Sequence, residues 1–267
     1  MFSFKKKEGW HHRIKFNPIK RDIISSYMYD FYKISFDYYK VRYDKEFGEK
    51  KILILGTPII NRKIEYDQIA EFIIKQGFSQ NYIRKIDGEF CIILINGFNL
   101  TIVSDRFCSI PLYYYNYNEK LYISDNLYCL SKRIENLKYN NYKIFELLYF
   151  QKTHGKTTIF KGIEKLSSSS ILNFKNGSLK ISKYWNLNFD KKFGSLSSNA
   201  EILSDYLKES IKMKTSDLIP NEKFGIFLSG GMDTRTILSL CTDQEIIAAT
   251  LGFSESGEYN TAKQLTN

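Results

Sequence analysis

The chain contains 267 residues, of which 43% are hydrophobic, 16% aromatic and 25% charged, a composition that argues against disorder and favours a packed globular protein. Its length allows one large domain or two ordinary ones. The formal net charge is +10, but the basic residues are dispersed and form no recognisable nucleic-acid module. A general lysine-rich composition explains the charge better, and no nucleic-acid partner is expected.

The apolar runs and the N-terminal stretch predict a cytoplasmic protein with no membrane association. The longest runs, such as residues 90–95, have the length of a strand and fall well short of the ~20 residues that span a bilayer. The N-terminal stretch has no long apolar core of a secretory signal. The cysteines lack disulfide or zinc spacing and are expected to be reduced and mostly buried: Cys91, Cys108, Cys129 and Cys241.

The first half of the chain is predicted to be rich in strands. Residues 51–55 (KILIL) indicate a buried strand that enters a turn at Gly56 and Pro58. Residues 66–78 carry apolar side chains at helical spacing and predict a helix. Apolar runs separated by asparagine-containing turns then predict two hairpins of a β-meander: 89–95 with 100–104, and 111–115 with 120–124.

The second half changes from a helix and a hairpin to an alternating pattern. Residues 141–151 predict a helix, and 170–174 with 179–184 predict a hairpin that turns at Asn176 and Gly177. Residues 190–198 are polar and small, as expected of a linker. Residues 199–213 after this linker predict a helix. A strand at 223–228, a glycine turn, a helix at 232–241 and a strand at 245–251 then predict a βαβ unit.

The glycine turn lies in the stretch FGIFLSGGMDTRTILSL, residues 224–240. Ligands of open α/β sheets bind where parallel strands end, and glycines there let backbone approach an anion at a helix N-terminus. Asp233 would repel a bare phosphate but suits Mg²⁺ bound to pyrophosphate. The alternative is a plain two-glycine turn with Asp233 as an N-terminal carboxylate. The stretch departs from the patterns GxxxxGK[ST] and GxGxxG.

The whole string LSGGMDTR, residues 228–235, resembles the SGGxD[ST] pyrophosphate loop of the ATP pyrophosphatase superfamily, in asparagine synthetase-like members of which the following arginine is frequent. Residues 86–115 (IDGEFCIILINGFNLTIVSDRFCSIPLYYY) are similar to the glutaminase-type domain of that family, which has a DGxF strand followed by an RDRxGxxPLYY-like turn. Residues 158–185, ending in Tyr184 and Trp185, resemble the end of that domain.

This resemblance implies a mixed α/β and α+β protein with two parts. Residues 1–190 would form an Ntn-hydrolase-like, glutaminase-type αββα sandwich, and residues 191–267 would begin a parallel-sheet, adenine-nucleotide alpha-hydrolase-like domain. Members of the family bind ATP, convert a carboxylate to an acyl-adenylate with release of pyrophosphate, and let an amine or ammonia displace AMP. The implied ligands are therefore ATP and Mg²⁺, with small carboxylate and amine substrates or a peptide.

The resemblance assigns site residues at both ends of the chain. The pyrophosphate and Mg²⁺ site would comprise Ser229, Gly230, Gly231, Asp233 and Thr234, with adenylate contacts from Leu228, Leu251 and Gly252. Glutamine-dependent members have an N-terminal cysteine nucleophile, and Phe2 replaces it here. Asp87 and Gly88 match only a remnant of the glutamine pocket, in which 56–58 (GTP) lies about where Asn-Gly-Glu would. No glutaminase activity is expected.

Three further expectations concern roles that are not catalytic. Asp105 and Arg106 are adjacent opposite charges before Pro111 and are expected to hold a turn. Asp87 by itself is interpreted as a turn residue. The histidines show no metal-ligand spacing and are expected to be solvated or packed: His11, His12 and His154.

The strands and helices that would follow 245–251 in a full synthetase domain are not found, so the sequence predicts a truncated domain or one that a second polypeptide completes. A two-stranded βαβ fragment buries little apolar surface and should be marginal alone. The main hypothesis is an asparagine synthetase-like ligase without glutaminase activity and with an incomplete synthetase domain. The alternatives are a peptide-cyclase-type member of the superfamily and a non-catalytic relic or partner-binding subunit.

Overall fold

A computed structural model describes residues 25–28, 32–189, 194–215, 224–241, 245–253 and 256–265. The strands are β1 Ser25–Met28, β2 Tyr32–Phe36, β3 Val41–Phe47, β4 Lys50–Ile59, β5 Asp87–Asn96, β6 Asn99–Ser104, β7 Tyr113–Tyr117, β8 Lys120–Ser124, β9 Ile163–Lys165, β10 Ser170–Lys175, β11 Ser178–Lys183, β12 Phe224–Phe227 and β13 Ile246–Ala249. The helices are α1 Tyr66–Gln76, α2 Gln80–Ile83, α3 Leu127–Ser131, α4 Asn141–Phe150, α5 Leu196–Thr215, α6 Met232–Leu240 and α7 Gly257–Leu265. Phe2, His11 and His12 lie outside the described residues.

The first eleven strands form two sheets. One has six strands in the order β11-β10-β6-β5-β4-β3, and the other has five in the order β1-β2-β8-β7-β9. The hairpins β5–β6 and β7–β8 are confirmed, but the predicted meander is wrong because the two hairpins lie in different sheets. Local alternation specifies each hairpin, whereas the partner of each hairpin lies far away in the chain: β8 pairs in parallel with β2, and β6 pairs with β10.

The core of this region has two layers, because the apolar side chains of the six-stranded sheet alternate between its two faces. One face packs against the five-stranded sheet, and Leu53 and Ile93 meet Ile34 and Leu121 in that layer. The other face contains Ile52 and packs against α1 and α2. A mixed α/β fold is therefore confirmed, with a helix layer on one sheet and a second sheet on its other side.

Strand β4 does not end where the sequence predicts. It continues through Gly56 and Pro58 to Ile59, and Gly56 pairs with Phe90 on β5. Gly56 has φ +79°, and a Cβ there would lie 2.1 Å from the carbonyl oxygen of Glu89. The glycine therefore permits close approach of the β5 backbone, rather than ending the strand.

The hairpin between β10 and β11 turns where the sequence predicts. Asn176 and Gly177 have φ of 49° and 75°, and Lys175 pairs with Ser178. Two consecutive positive φ values are typical of a type I′ turn, which Asn-Gly favours.

The C-terminal region contains the predicted βαβ unit. Strands β12 and β13 pair in parallel, from Phe224 with Ile246 to Phe227 with Ala249, and α6 connects them. Among the described residues after position 193, only Leu228 and Ala262 are buried. An ion pair between Arg62 and Glu209 on α5 joins this region to the first one. No described helix has the length and apolar character needed to cross a membrane.

Candidate functional site

The glycine loop follows the buried Leu228, whose amide donates to Ala249 at 2.9 Å. Gly230 has φ +72°, and a Cβ there would lie 2.9 Å from the carbonyl oxygen of Glu258 and 3.1 Å from Cβ of Thr261. Helix α7 therefore supports the loop from behind, and a side chain at Gly230 would be both strained and crowded. This contact could not be predicted from the local pattern, because it depends on the packing of α7.

The loop brings two hydroxyl groups together at the start of α6. The Ser229 and Thr234 hydroxyl oxygens are 3.4 Å apart. The Gly231 amide donates to the Ser229 hydroxyl at 3.4 Å, and the Thr234 hydroxyl donates to the Gly231 carbonyl at 3.2 Å. These bonds hold the loop and first turn in one conformation, with Asp233 exposed in that turn.

The donor groups of this loop suit phosphate oxygens. Gly231 is the N-cap of α6, and no side chain caps the helix, so the amides of the first turn have no intrahelical partner. Such amides, the helix dipole and two hydroxyls favour an anion. Mg²⁺ would fit only with phosphate ligands, because no described group of three or more His, Cys, Asp or Glu residues could hold a metal and Asp233 supplies one carboxylate.

Leu251 and Gly252 follow β13 at the edge of the sheet where Ser229 follows β12. Both residues are exposed. Thr250, which the sequence did not single out, donates its hydroxyl to the Leu228 carbonyl at 2.7 Å. The structure therefore brings the predicted residues to one sheet edge, while Leu251 does not pack in the core.

Asp87 and Gly88, which the sequence predicts to be a remnant of a glutamine pocket, lie at the start of β5. The Asp87 carboxylate accepts from the Gly88 amide and from Nη1 of Arg106, both at 3.0 Å. Arg106 also donates to the Arg84 carbonyl at 2.7 Å, and its guanidinium lies 6.0 Å from the centre of the Trp185 ring. Asp87 therefore has an ion-pair partner in Arg106. The sequence predicted Asp87 to be a simple turn residue, because 19 residues separate it from Arg106 and local pattern does not reveal the pair.

Asp105 has the predicted structural role. Its buried carboxylate accepts from the amides of Phe90, Phe107 and Ser109 at 3.2, 2.8 and 3.0 Å. It therefore fixes the turn before Pro111 and attaches it to β5. Arg106 acts differently from the prediction, since its side chain contacts Asp87 and Trp185 rather than the turn.

The structure joins none of the four cysteines in a disulfide, and Cys91 alone of them is fully buried, whereas most were expected to be buried. Burial raises the pKa of the Cys91 and Cys108 thiols, which therefore stay protonated at neutral pH. Cys108 has φ +55° and stands where the RDRxGxxPLYY-like pattern has glycine. His154 belongs to no group of three or more possible metal-binding side chains among the described residues. Its Nδ1 lies 2.7 Å from a carboxylate oxygen of Glu146.

Comparison with known protein families finds one model that matches part of the chain. Residues 67–185 match the model of a glutamine amidotransferase domain. This match agrees with the glutaminase-type domain expected from the sequence, and it does not extend to the glycine loop. No curated protein matches the chain.

Two solved structures show a weak similarity. One is glutamine phosphoribosylpyrophosphate amidotransferase from B. subtilis complexed with ADP and GMP, with 8% identity and a TM-score of 0.33 over 76% of this chain and 47% of that one. The other is described as the allosteric regulatory enzyme of purine biosynthesis, with 8% identity and a TM-score of 0.29 over 79% of this chain and 47% of that one. The chain thus spans about half the length of these proteins, and similarity this low does not establish a shared fold.

Proposed function

We propose that the protein is an asparagine synthetase-like, ATP-dependent amide-forming ligase whose glycine loop binds the pyrophosphate portion of ATP with Mg²⁺. The observation that supports this most is the glycine loop itself. It combines the ends of two parallel strands, a glycine at φ +72° and the hydroxyls of Ser229 and Thr234 at one helix N-terminus. The string LSGGMDTR is also far more specific than a glycine pair.

The chemistry of adenylation gives each loop group a role. When a substrate carboxylate attacks the α-phosphorus of ATP, negative charge grows on the departing pyrophosphate. The amides of the first turn of α6 and the two hydroxyls would donate to those oxygens. Asp233 would hold Mg²⁺, which supplies additional positive charge to the phosphates. The site at the strand ends would place the adenine side of the nucleotide near Leu251 and Gly252.

The N-terminal domain would not supply ammonia from glutamine. Phe2 stands where glutamine-dependent members have cysteine, and the thiols of Cys91 and Cys108 stay protonated. Asp87, the aspartate that matches the residue gripping the glutamine amino group, is engaged by Arg106. The domain therefore serves as a structural part in this proposal.

Nucleotide binding tests the proposal directly. Titration of the full chain with ATP and Mg²⁺ in a calorimeter should show one site, and both Gly231→Val and Asp233→Ala should weaken it by at least tenfold. Thr236→Ala is a matched control, because Thr236 lies on α6 and its hydroxyl donates within that helix, to the Met232 carbonyl at 2.9 Å. No ATP binding, or equal binding by all three variants, would overturn the assignment of the loop.

A partner-binding role is the second candidate, and the sparse burial after position 193 favours it. Ile247, Leu251 and Phe253 expose large apolar side chains beside the loop, and such surfaces often contact another polypeptide. Pyrophosphate release separates the two functions. A ligase releases pyrophosphate from ATP with candidate carboxylates such as aspartate, alone or once a second polypeptide completes its domain, whereas a non-catalytic partner-binding subunit would bind that polypeptide without any release of pyrophosphate.

A further inference from the structure

Helix α4 is rich in apolar residues but contributes nothing to the core. None of its ten residues is buried. Four of its large side chains lie within about 120° of one another around the helix axis, and they are named here the α4 face: Tyr142, Phe145, Leu148 and Tyr149, which are 87%, 71%, 74% and 82% exposed. This face is separate from the glycine loop, and the function proposed for that loop does not use it.

Hydrogen bonds hold α4 in place although its side chains remain exposed. Before the helix begins, the Asn140 amide donates to the Ile159 carbonyl at 2.8 Å. Near its end, the Glu146 carboxylate accepts from the His154 amide at 3.1 Å, and the Lys143 ammonium donates to the His154 carbonyl at 2.8 Å. The α4 face is therefore presented by a fixed helix, and a partner would not have to order it first.

The α4 face has a projecting ring near its start and a cleft near its end. Tyr142, the most exposed of the four side chains, lies in the first turn. The cleft is lined by Phe145, Leu148, Tyr149 and also Phe150, whose ring lies edge-on to Tyr149 with ring centres 4.8 Å apart. Tyr142 and Tyr149 are equally far from the middle of the helix. An antiparallel second copy of α4 would therefore bring each Tyr142 ring to the cleft of the other copy.

The charges of α4 suit a second copy better than a membrane surface. Lys143 is the single cation of the helix, and its ammonium is paired with Glu146. Helices that lie on a membrane have a polar face rich in lysine and arginine that attracts anionic lipids, and α4 offers no such face. Two copies of a neutral apolar face meet without repulsion between like charges.

The exposed area matches what a stable dimer requires. An aromatic side chain has roughly 150–250 Å² of surface, so the α4 face and the 54% exposed Phe150 together offer about 700 Å². Patches on monomeric proteins rarely exceed about 600 Å². Two copies would bury about 1,400 Å², which lies within the ~1,200–2,000 Å² of specific interfaces.

We propose that the α4 face is a homodimer interface, in which the α4 helices of two copies pack antiparallel about a twofold axis. Each copy inserts Tyr142 into the cleft of the other, and Phe145 of one copy meets Phe145 of the other near the axis. An interface of this isologous kind closes at two copies. Aromatic rings buried at its centre supply most of the binding free energy.

Sedimentation velocity of the full chain at increasing concentration tests this proposal. The wild type should change from monomer to dimer, and added salt should not dissociate the dimer, because it screens the repulsion between two chains of net charge +10. Phe145→Arg and Phe145→Glu should each raise the Kd of the dimer about tenfold or more, since like charges then meet at the axis. The two variants mixed in equal amounts should dimerise again, because opposite charges then meet there.

Phe98→Arg and Phe98→Glu are the matched controls, since Phe98 is a 55% exposed aromatic residue on the turn between β5 and β6. Both should dimerise like the wild type. Tyr142→Ala is a second interface variant, which should also raise the Kd about tenfold and leave the circular dichroism spectrum unchanged, because Tyr142 is exposed.

Three outcomes would overturn the proposal. The first is a wild type that stays monomeric at every concentration, including one that binds anionic lipid vesicles through α4 as a monomer. The second is a dimer that persists unchanged in both Phe145 variants. The third is a dimer that both variants lose and that their mixture does not restore, since α4 would then contact a different surface of the second copy.

Discussion

The two described regions of this protein are built on different principles. Residues 32–185 place two sheets face to face and bury a continuous layer of apolar side chains between them. Residues 224–265 have a parallel strand pair, two helices and a defined glycine loop, but only Leu228 and Ala262 are buried among those described. A few local hydrogen bonds therefore define the conformation of the glycine loop. The stability of the first region depends instead on the apolar core between its two sheets.

The largest expected effect comes from removing the carboxylate of Asp105. Asp105→Ala leaves the amides of Phe90, Phe107 and Ser109 without their acceptor, and we expect a loss of about 4 kcal/mol. Urea denaturation followed by circular dichroism measures it. Asp67→Ala is the control, because Asp67 is an exposed aspartate that also accepts two hydrogen bonds; it should lower the free energy of unfolding far less than Asp105→Ala does. Equal losses would contradict the role of Asp105.

A matched pair of isoleucines tests the difference in burial. Ile93 is fully buried between the sheets, whereas Ile247 on β13 is 54% exposed. We expect Ile93→Ala to lower the free energy of unfolding by about 3 kcal/mol, and Ile247→Ala to change it by less than about 0.5 kcal/mol. A large effect at Ile247 would show that a partner surface covers β13 in solution.

A pair of strand glycines tests whether close approach between the backbones of paired strands is confined to the first region. Gly56→Ala would put a Cβ 2.1 Å from the Glu89 carbonyl at φ +79°, and Gly225→Ala would place one in open space. We expect the first to cost about 2 kcal/mol, and the second to be neutral or stabilising by about 0.5 kcal/mol. Thermal denaturation of both variants gives the comparison, which fails if Gly56→Ala is neutral.

The smallest effect concerns acid stability near α4. The Lys143 ammonium, assisted by His154, lowers the pKa of Glu146 from 4.5 to about 2. Because the folded pKa is below the unfolded one, this contribution is complete above about pH 4.5 and is lost as the pH falls through about 2.

The fall in the free energy of unfolding between pH 6 and pH 3 should therefore be smaller in Glu146→Gln than in the wild type. The urea midpoint at each pH measures this difference. Glu71→Gln, in an exposed pair with Lys75 at 3.4 Å, is the control. The same pH difference in wild type and Glu146→Gln would show that the cluster does not contribute.

Local pattern was enough to predict most helices, the hairpins and the βαβ unit, because caps, turns and periodicity act over a few residues. The glycine turn between β12 and α6 could be predicted for the same reason, whereas its assignment as a pyrophosphate site comes from the resemblance and stays a prediction. The assignment of hairpins to different sheets, the passage of β4 through Gly56 and the Asp87–Arg106 pair could not, because each depends on a partner 19 or more residues away or on another strand.

The parallel pairing of β2 with β8 has a consequence for synthesis. Ser35 of β2 donates its hydroxyl to Ile123, 88 residues later, so the central strands of the five-stranded sheet cannot meet until that length of chain has been made. At usual elongation rates this takes roughly 5 to 20 seconds. During that interval the edge of β2 that pairs with β8 lacks this strand, so an emerging chain would expose an unpaired strand edge that can associate with other chains.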